Sequence, residues 1–263
     1  MSQGEPKVVS ALTGSVLEIR MNRPKARNAL DPESMELLVQ ALAQAQTQDQ
    51  VRVIVLTGTG DTFSAGADVK AALAQDPEGF AKRGPVVMAE LLAQIQDSDK
   101  PVIAKVQGNV YGGGNGLVAA CDLAVAAEHV RFAFSEVRLG VAPAVISVVC
   151  LQKLGRADAN ELFLLGERVP AQRVLDAGMI NAVVAEDALN AKVESWVQTL
   201  ALGGPLALAG TKELIRRVPE MDRAAAFDYT AEMSARYFGS PEAAEGMTAL
   251  MQKRTPSWAP ESE

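Results

Sequence analysis

The chain is poor in the residues that build metal and redox sites: it holds one histidine and two cysteines. His129 alone cannot form a His-rich metal site, and its polar setting, Glu128-His129-Val130-Arg131, reads as an exposed turn. Cys121 and Cys150 each lie in apolar surroundings with no activating base beside them. They read as buried free thiols in a reducing compartment, not as nucleophiles. No apolar run approaches the length of a membrane span. The polar start, Met1-Ser2-Gln3-Gly4-Glu5-Pro6, lacks an apolar signal core, so a cytoplasmic location is expected. Basic excess is also missing. The net charge of −7 argues against nucleic acid or an anionic membrane as the main partner, while leaving room for a local basic patch.

What is present can fill a large core: 263 residues, 48% hydrophobic, enough for one or two domains. The central stretch is Gly108-Asn109-Val110-Tyr111-Gly112-Gly113-Gly114-Asn115-Gly116. An apolar segment from Pro101 to Val106 precedes it and reads as a buried strand. Leu117 to Cys121 follows and reads as the start of a buried helix. A strand, a glycine turn and a helix start gather free backbone N–H groups at one point, which favours negative charge. The plainer reading is a tight turn with no ligand. No Lys-Ser or Lys-Thr follows, so it is not a P-loop, and the spacing is not that of a dinucleotide site. A second stretch, Phe63-Ser64-Ala65-Gly66-Ala67-Asp68-Val69-Lys70, has the same setting after a strand at Val51 to Leu56. A third, Phe132 to Gly140, places Glu136 among apolar neighbours. Burial there would raise its pKa and suit proton transfer near neutral pH. The plainer alternative is a solvent-facing glutamate in a short helix beginning at Ser135.

The remaining pattern alternates strands and helices early and is helical late. Val16 to Met21 alternates as a half-buried strand. Asp31, Pro32 and Glu33 form a helix start, with the helix running to about Gln46. Asp76-Pro77-Glu78-Gly79 is expected to be a loop that could shape a pocket, within a variable stretch from Ala71 to Lys82. A helix follows from Pro85 to Gln96. Leu123 to Ala126 and Ile180 to Val184 read as strands, and a helix is expected from about Val141 to Leu154. From Asp187 the chain is helical, with breaks at Gly203-Gly204-Pro205, Pro219 and Gly239-Ser240-Pro241. The tail after Pro256 is expected to be mobile. This predicts an α/β core over residues 1–186 and a helical region over 187–263.

The two glycine-containing stretches and Glu136 together resemble the crotonase, or enoyl-CoA hydratase/isomerase, superfamily, and the likeness runs along nearly the whole chain. It implies a spiral of ββα units with C-terminal helices that pack subunits into a homotrimer or a dimer of trimers. It implies an acyl-CoA thioester substrate, with coenzyme A as part of that substrate and no separate cofactor or metal. By the motif match, the N–H groups of Ala67 and Gly113 form an oxyanion hole, and Glu136 is the catalytic glutamate in Phe-x-x-x-Glu-x-x-x-Gly. Ala26, in a loop matching the family's Asn-Arg-Pro-x-x-x-Asn-Ala segment, would border the CoA adenine. Ala65, Gly66, Asp68 and Val69 would line the CoA channel. Lys253 would reach CoA across a subunit boundary, or stand as a solvated terminal charge.

One feature departs from the pattern. The family's common hydratases carry a first glutamate where this chain has Gly116. Val141 to Ser147 looks like the branch containing methylglutaconyl-CoA hydratases, which also shows glycine at that point. The leading expectation is an enoyl-CoA hydratase acting on a branched or carboxylated 2-enoyl-CoA. In it Arg138 either meets a substrate carboxylate or forms a structural ion pair. The competing expectations are a Δ3,Δ2-enoyl-CoA isomerase and a non-catalytic CoA-thioester binding protein. Decarboxylation or dehydration of a 3-hydroxyglutaryl-type CoA would use the same enolate stabilisation.

Overall fold

A computed structural model describes residues 5–70 and 77–259. Strand β1 (Val8–Thr13) turns back on β2 (Val16–Met21) as an antiparallel hairpin. In β2 the alternate residues Leu17, Ile19 and Met21 are buried, the pattern of a strand with one covered face. Beyond it the sheet is parallel: β3 (Val53–Gly58), β5 (Val102–Val106), β7 (Leu123–Ala127) and β10 (Ala182–Val184), in the order β1-β2-β3-β5-β7-β10. All six residues of β3 are buried, as expected where helices and a second layer cover both faces.

A smaller sheet holds β4 (Thr62–Ser64), β6 (Asn109–Tyr111), β8 (Arg131–Ala133) and β9 (Val169–Pro170), in that order. Each large-sheet strand β3, β5 and β7 is followed directly by a small-sheet strand β4, β6 or β8 and then by helix. The chain is therefore a ββα spiral, as the family resemblance implies.

The first long helix, α1 (Pro32–Gln46), is fixed at its start by a capping box. The Asp31 carboxylate accepts the Ser34 N–H at 2.7 Å, and the Ser34 hydroxyl faces the Asp31 N–H at 3.1 Å. Its buried residues Met35, Leu38, Leu42 and Ala45 recur at helical spacing and pack toward α2 (Pro77–Asp97). Helix α2 corrects the loop expected at 76–79. Asp76 and the stretch 71–76 lie outside the described residues, but Pro77, Glu78 and Gly79 form the first turn of the helix, with proline at the position that needs no donor. Pro85 lies inside this helix instead of starting it.

Helix α3 (Gly113–Ala120) begins four residues earlier than the sequence suggests, so the glycine run is its first turn. Helix α4 (Ala144–Cys150) ends before Leu154. It is followed by α5 (Arg156–Leu165), α6 (Ala171–Asp176) and α7 (Leu189–Ala201), the last adding Leu189 and Val193 to the main core. The final helices α8 (Pro205–Arg217), α9 (Arg223–Phe238) and α10 (Pro241–Gln252) break where glycine and proline punctuate the sequence. Of the tail expected to be mobile, residues 260–263 lie outside the described residues, and the residues just after Pro256 are hydrogen-bonded to the body of the protein. Ser257 N–H donates to Glu245, Trp258 Nε1 donates to the Leu202 carbonyl at 3.1 Å, and Arg52 donates to the Trp258 carbonyl at 2.8 Å. No helix among the described residues is long and apolar enough to cross a membrane.

Candidate active site

Two chain turns meet at the C-terminal ends of the small-sheet strands. Strand β4 runs into Ala65-Gly66-Ala67, where Leu30 lies alongside Ala67 as a parallel bridge. Leu30 N–H donates to the Gly66 carbonyl at 2.7 Å, and Asp68 N–H donates to the Leu30 carbonyl at 3.0 Å. In such a bridge the residue between, Ala67, turns its own N–H to the opposite side. Strand β6 runs into Gly112 and then α3. Gly112 has φ +50° and ψ −125°, a conformation open only to glycine. Gly113 opens the helix, so its N–H has no intrahelical partner. Gly66, at φ +79°, lets the two turns touch. A Cβ on it would stand 3.0 Å from the Gly113 nitrogen and 2.8 Å from the Tyr111 carbonyl oxygen. The two donors predicted from sequence are thus adjacent, at the positive end of α3.

They open onto a cavity of about 240 Å³ lined by Ala67, Gly113 and Glu136, by Leu30, Met35 and Met88, and by Gly84, Pro85 and the segment Ala142 to Ile146. Glu136 is the one ionisable side chain among these described lining residues. It sits in a 3₁₀ turn, Ser135–Leu139, directly after β8, anchored by Phe134 stacked on Phe163 with ring centroids 4.4 Å apart. Its Oε1 lies 3.4 Å from where a Gly112 Cβ would be, and its Oε2 is buried without a hydrogen-bond partner among the described residues. Burial pushes the Glu136 carboxyl above its ordinary range, outweighing the opposing backbone hydrogen bond. A carboxyl that keeps its proton to higher pH, beside two convergent donors, can exchange a proton with a carbon next to a carbonyl held in those donors.

Gly116 accounts for the single carboxylate. A Cβ there would lie 2.5 Å from Ile146 Cγ2 and 3.0 Å from Ile146 Cβ. The space a first glutamate would occupy is filled by the buried, β-branched Ile146 of α4.

The other sequence candidates fall elsewhere. The Ala26 loop abuts the Ala65 turn, since Ala65 N–H donates to the Arg27 carbonyl at 2.9 Å. Neither residue lines the cavity, nor do Gly66, Asp68 or Val69. Asp68 is ion-paired with Arg23 at 2.9 Å, tying the two loops together, and the Val69 side chain is exposed. Lys253 caps α10 in the left-handed conformation, exposed and away from the cavity lining of this chain. Arg138 donates to the Leu165 carbonyl and lies 3.9 Å from Glu167, the structural alternative named above. His129 is half-exposed, 3.7 Å from Glu186. Burial pushes the Cys121 thiol up to about 12 and the Cys150 thiol higher still, so neither is a nucleophile. Sequence reasoning missed Met88 and Ile146 as walls. Only the helical period of α2 could have signalled the first, and nothing local signals the second.

A pair of convergent backbone donors beside a carboxyl whose pKa burial raises, in an apolar cavity, is an arrangement that can stabilise a carbonyl oxyanion while one acid/base moves a proton. The sequence pattern of the enoyl-CoA hydratase/isomerase family matches residues 12–261. The carnitinyl-CoA dehydratase of Salmonella typhi is 37% identical over 251 residues, spanning 93% of this chain and 95% of that protein. Among solved structures, an enoyl-CoA hydratase of Mycobacterium smegmatis superposes with TM-score 0.91 at 32% identity, covering 97% of this chain and 99% of the other. An enoyl-CoA hydratase/isomerase of Marinobacter aquaeolei gives 0.90 at 33%, with the same coverage. The chain belongs to the enoyl-CoA hydratase/isomerase family.

Proposed function

We propose that the protein is an enoyl-CoA hydratase that adds water across the C2–C3 bond of a 2-enoyl-CoA, and in reverse dehydrates a 3-hydroxyacyl-CoA. The observation that carries this reading is the buried Glu136 carboxyl beside the Gly112-Gly113 turn. The thioester oxygen accepts from the Ala67 and Gly113 N–H groups, which draws charge from the double bond. Glu136 gives its proton to C2 as water adds to C3, and regains a proton from that water. Each oxyanion donor of this kind supplies about 3–4 kcal/mol of barrier lowering. The dehydratase relative supports this direction of chemistry.

The acyl group we favour is a branched hydrocarbon chain. Leu30, Met35, Met88 and Val145 wall the cavity, and each CH₂ buried there contributes about 0.8 kcal/mol. A carboxylated chain finds no cation among the described lining residues, and burying its charge unpaired costs several kcal/mol. Coenzyme A enters only as part of the substrate. The protein assembles as a homotrimer or a dimer of trimers and works in the cytoplasm.

One observation favours a second reading. With Ile146 in place of a second carboxylate, a lone glutamate could shuttle a proton between C2 and C4, which is Δ3,Δ2-enoyl-CoA isomerisation. Proton NMR of the protein in D₂O with crotonyl-, 3-methylcrotonyl-, 3-methylglutaconyl- and trans-3-hexenoyl-CoA separates the two. A 3-hydroxyacyl product is expected. Migration of the double bond without water addition would make it an isomerase, and inertness toward all four esters with CoA retained would make it a binding protein.

A further inference from the structure

Gly113 can offer its N–H to the cavity only while the peptide unit joining it to Gly112 is turned one way. In a trans peptide the C=O and N–H point in opposite directions, so whatever grips the Gly112 carbonyl aims the Gly113 donor. Asn115 grips it twice, with its backbone N–H at 2.9 Å and its side-chain Nδ2 at 3.1 Å. The same Nδ2 donates at 2.9 Å to the carbonyl of Ala133, which also takes the Gly112 N–H at 3.0 Å. Ala133 ends β8, and Glu136 lies three residues further on.

The need for such a grip follows from the sequence. Gly112 and Gly113 carry no side chain to hold the plane between them, and glycine resists rotation least of all residues. Asn115 itself is fully buried, at 0% exposure, and its Oδ1 has no partner among the described residues. Exchanging its oxygen and nitrogen would set the oxygen against two carbonyls, so the bonding pattern fixes the amide. An unpaired buried acceptor is destabilising, a burden an apolar side chain at this point of the helix would not bring.

We propose that Asn115 is a positioning residue for the thioester reaction. Its amide locks the Gly112-Gly113 peptide plane to the strand that delivers Glu136, so that the oxyanion donor and the acid/base keep one geometry. The inference rests on the thioester reading above. Asn115 touches neither substrate nor reacting atoms, and it acts through Gly113.

The test is the carbonyl stretch of a bound enoyl-CoA ester labelled with ¹³C at C1, read by difference infrared spectroscopy alongside kcat and KM. The wild-type protein should lower the stretch relative to the free ester. Asn115→Ala keeps the backbone N–H bond to the Gly112 carbonyl and loses the amide bonds, so it should lose part of that shift, with KM little changed and kcat reduced by about 10- to 100-fold, less than the 10²–10³ typical of removing a donor outright. Asn115→Asp is the second variant, and it carries the test if the alanine variant fails to fold. Set against two carbonyls in a buried site, that carboxyl holds its proton above the usual range and so keeps one donor. Its shift and kcat should therefore be near wild type at acidic pH and fall as pH rises. An alanine variant with wild-type stretch and kcat but a lower Tm would overturn the proposal, leaving Asn115 a purely structural residue. So would an Asp variant whose stretch and kcat follow the wild-type pH profile. A wild-type protein that binds the ester without shifting its carbonyl would overturn the thioester reading itself, and this inference with it.

Discussion

At the scale of single residues, the apolar neighbours of Glu136 left it open between a buried acid/base and a solvent-facing side chain, and likeness to the crotonase family favoured the first; the structure places it in the cavity lining. Burial raises its pKa and no cation in the described lining offsets that. The sign of the consequence depends on direction. Dehydration needs the ionised form to take the C2 proton, and the ionised fraction falls as pH drops through the raised pKa. Its kcat/KM should therefore decline on the acid side at a pH above the ordinary carboxylate value of 4.5, measured with a 3-hydroxyacyl-CoA. An acid limb at or below that value would mean the carboxyl is solvated. The turns at Ala67 and Gly113 were legible as glycine-containing turns after strands, while the donor role assigned to them came from likeness to a family. Asn115 was not assigned a role, because a sequence does not show which carbonyl a side-chain amide will meet. The contact Arg138 makes was hidden for the same reason: its partner, the Leu165 carbonyl, is 27 residues away in sequence.

At the scale of elements, the packing of α3 on α4 decides how many carboxylates the site can hold. Alanine in place of glycine inside a helix normally gains up to about 1 kcal/mol. At position 116 the new Cβ would meet Ile146 at 2.5 Å, and overpacking of that kind costs about 1–3 kcal/mol. The clash wins, so Gly116→Ala should destabilise the protein. In an Ile146→Ala background the same change should become neutral or stabilising. Urea denaturation of the four proteins of this cycle checks it, with a coupling of about 0.5–3 kcal/mol expected and additivity the contrary result. The larger elements were legible from their periods and caps: β2, β3, α1 and the last four helices. The three-residue strands β4, β6 and β8 were not, since a ladder of neighbours, not local pattern, makes them strands. The start of α2 was masked by Asp-Pro-Glu-Gly, which reads as a turn although proline also suits a first helical position.

For the whole molecule, the last helices leave large apolar side chains in the open: Phe227, Phe238, Met247, Leu250 and Met251. Clusters of this kind mark association surfaces. Light scattering should give three or six times the 27.8 kDa chain mass. Leu250→Glu with Met251→Glu should shift the protein toward monomer, and a wild-type monomer would contradict the assembly. The most direct measurement concerns the single carboxylate. Glu136→Gln keeps the shape of the side chain and removes a buried charge, so its thermal stability at neutral pH should equal or exceed wild type. Its hydration kcat should fall by about 10²–10⁴-fold, the usual worth of a positioned acid/base. A folded Glu136→Gln protein that hydrates its enoyl-CoA within a few-fold of the wild-type rate would show that another group moves the proton.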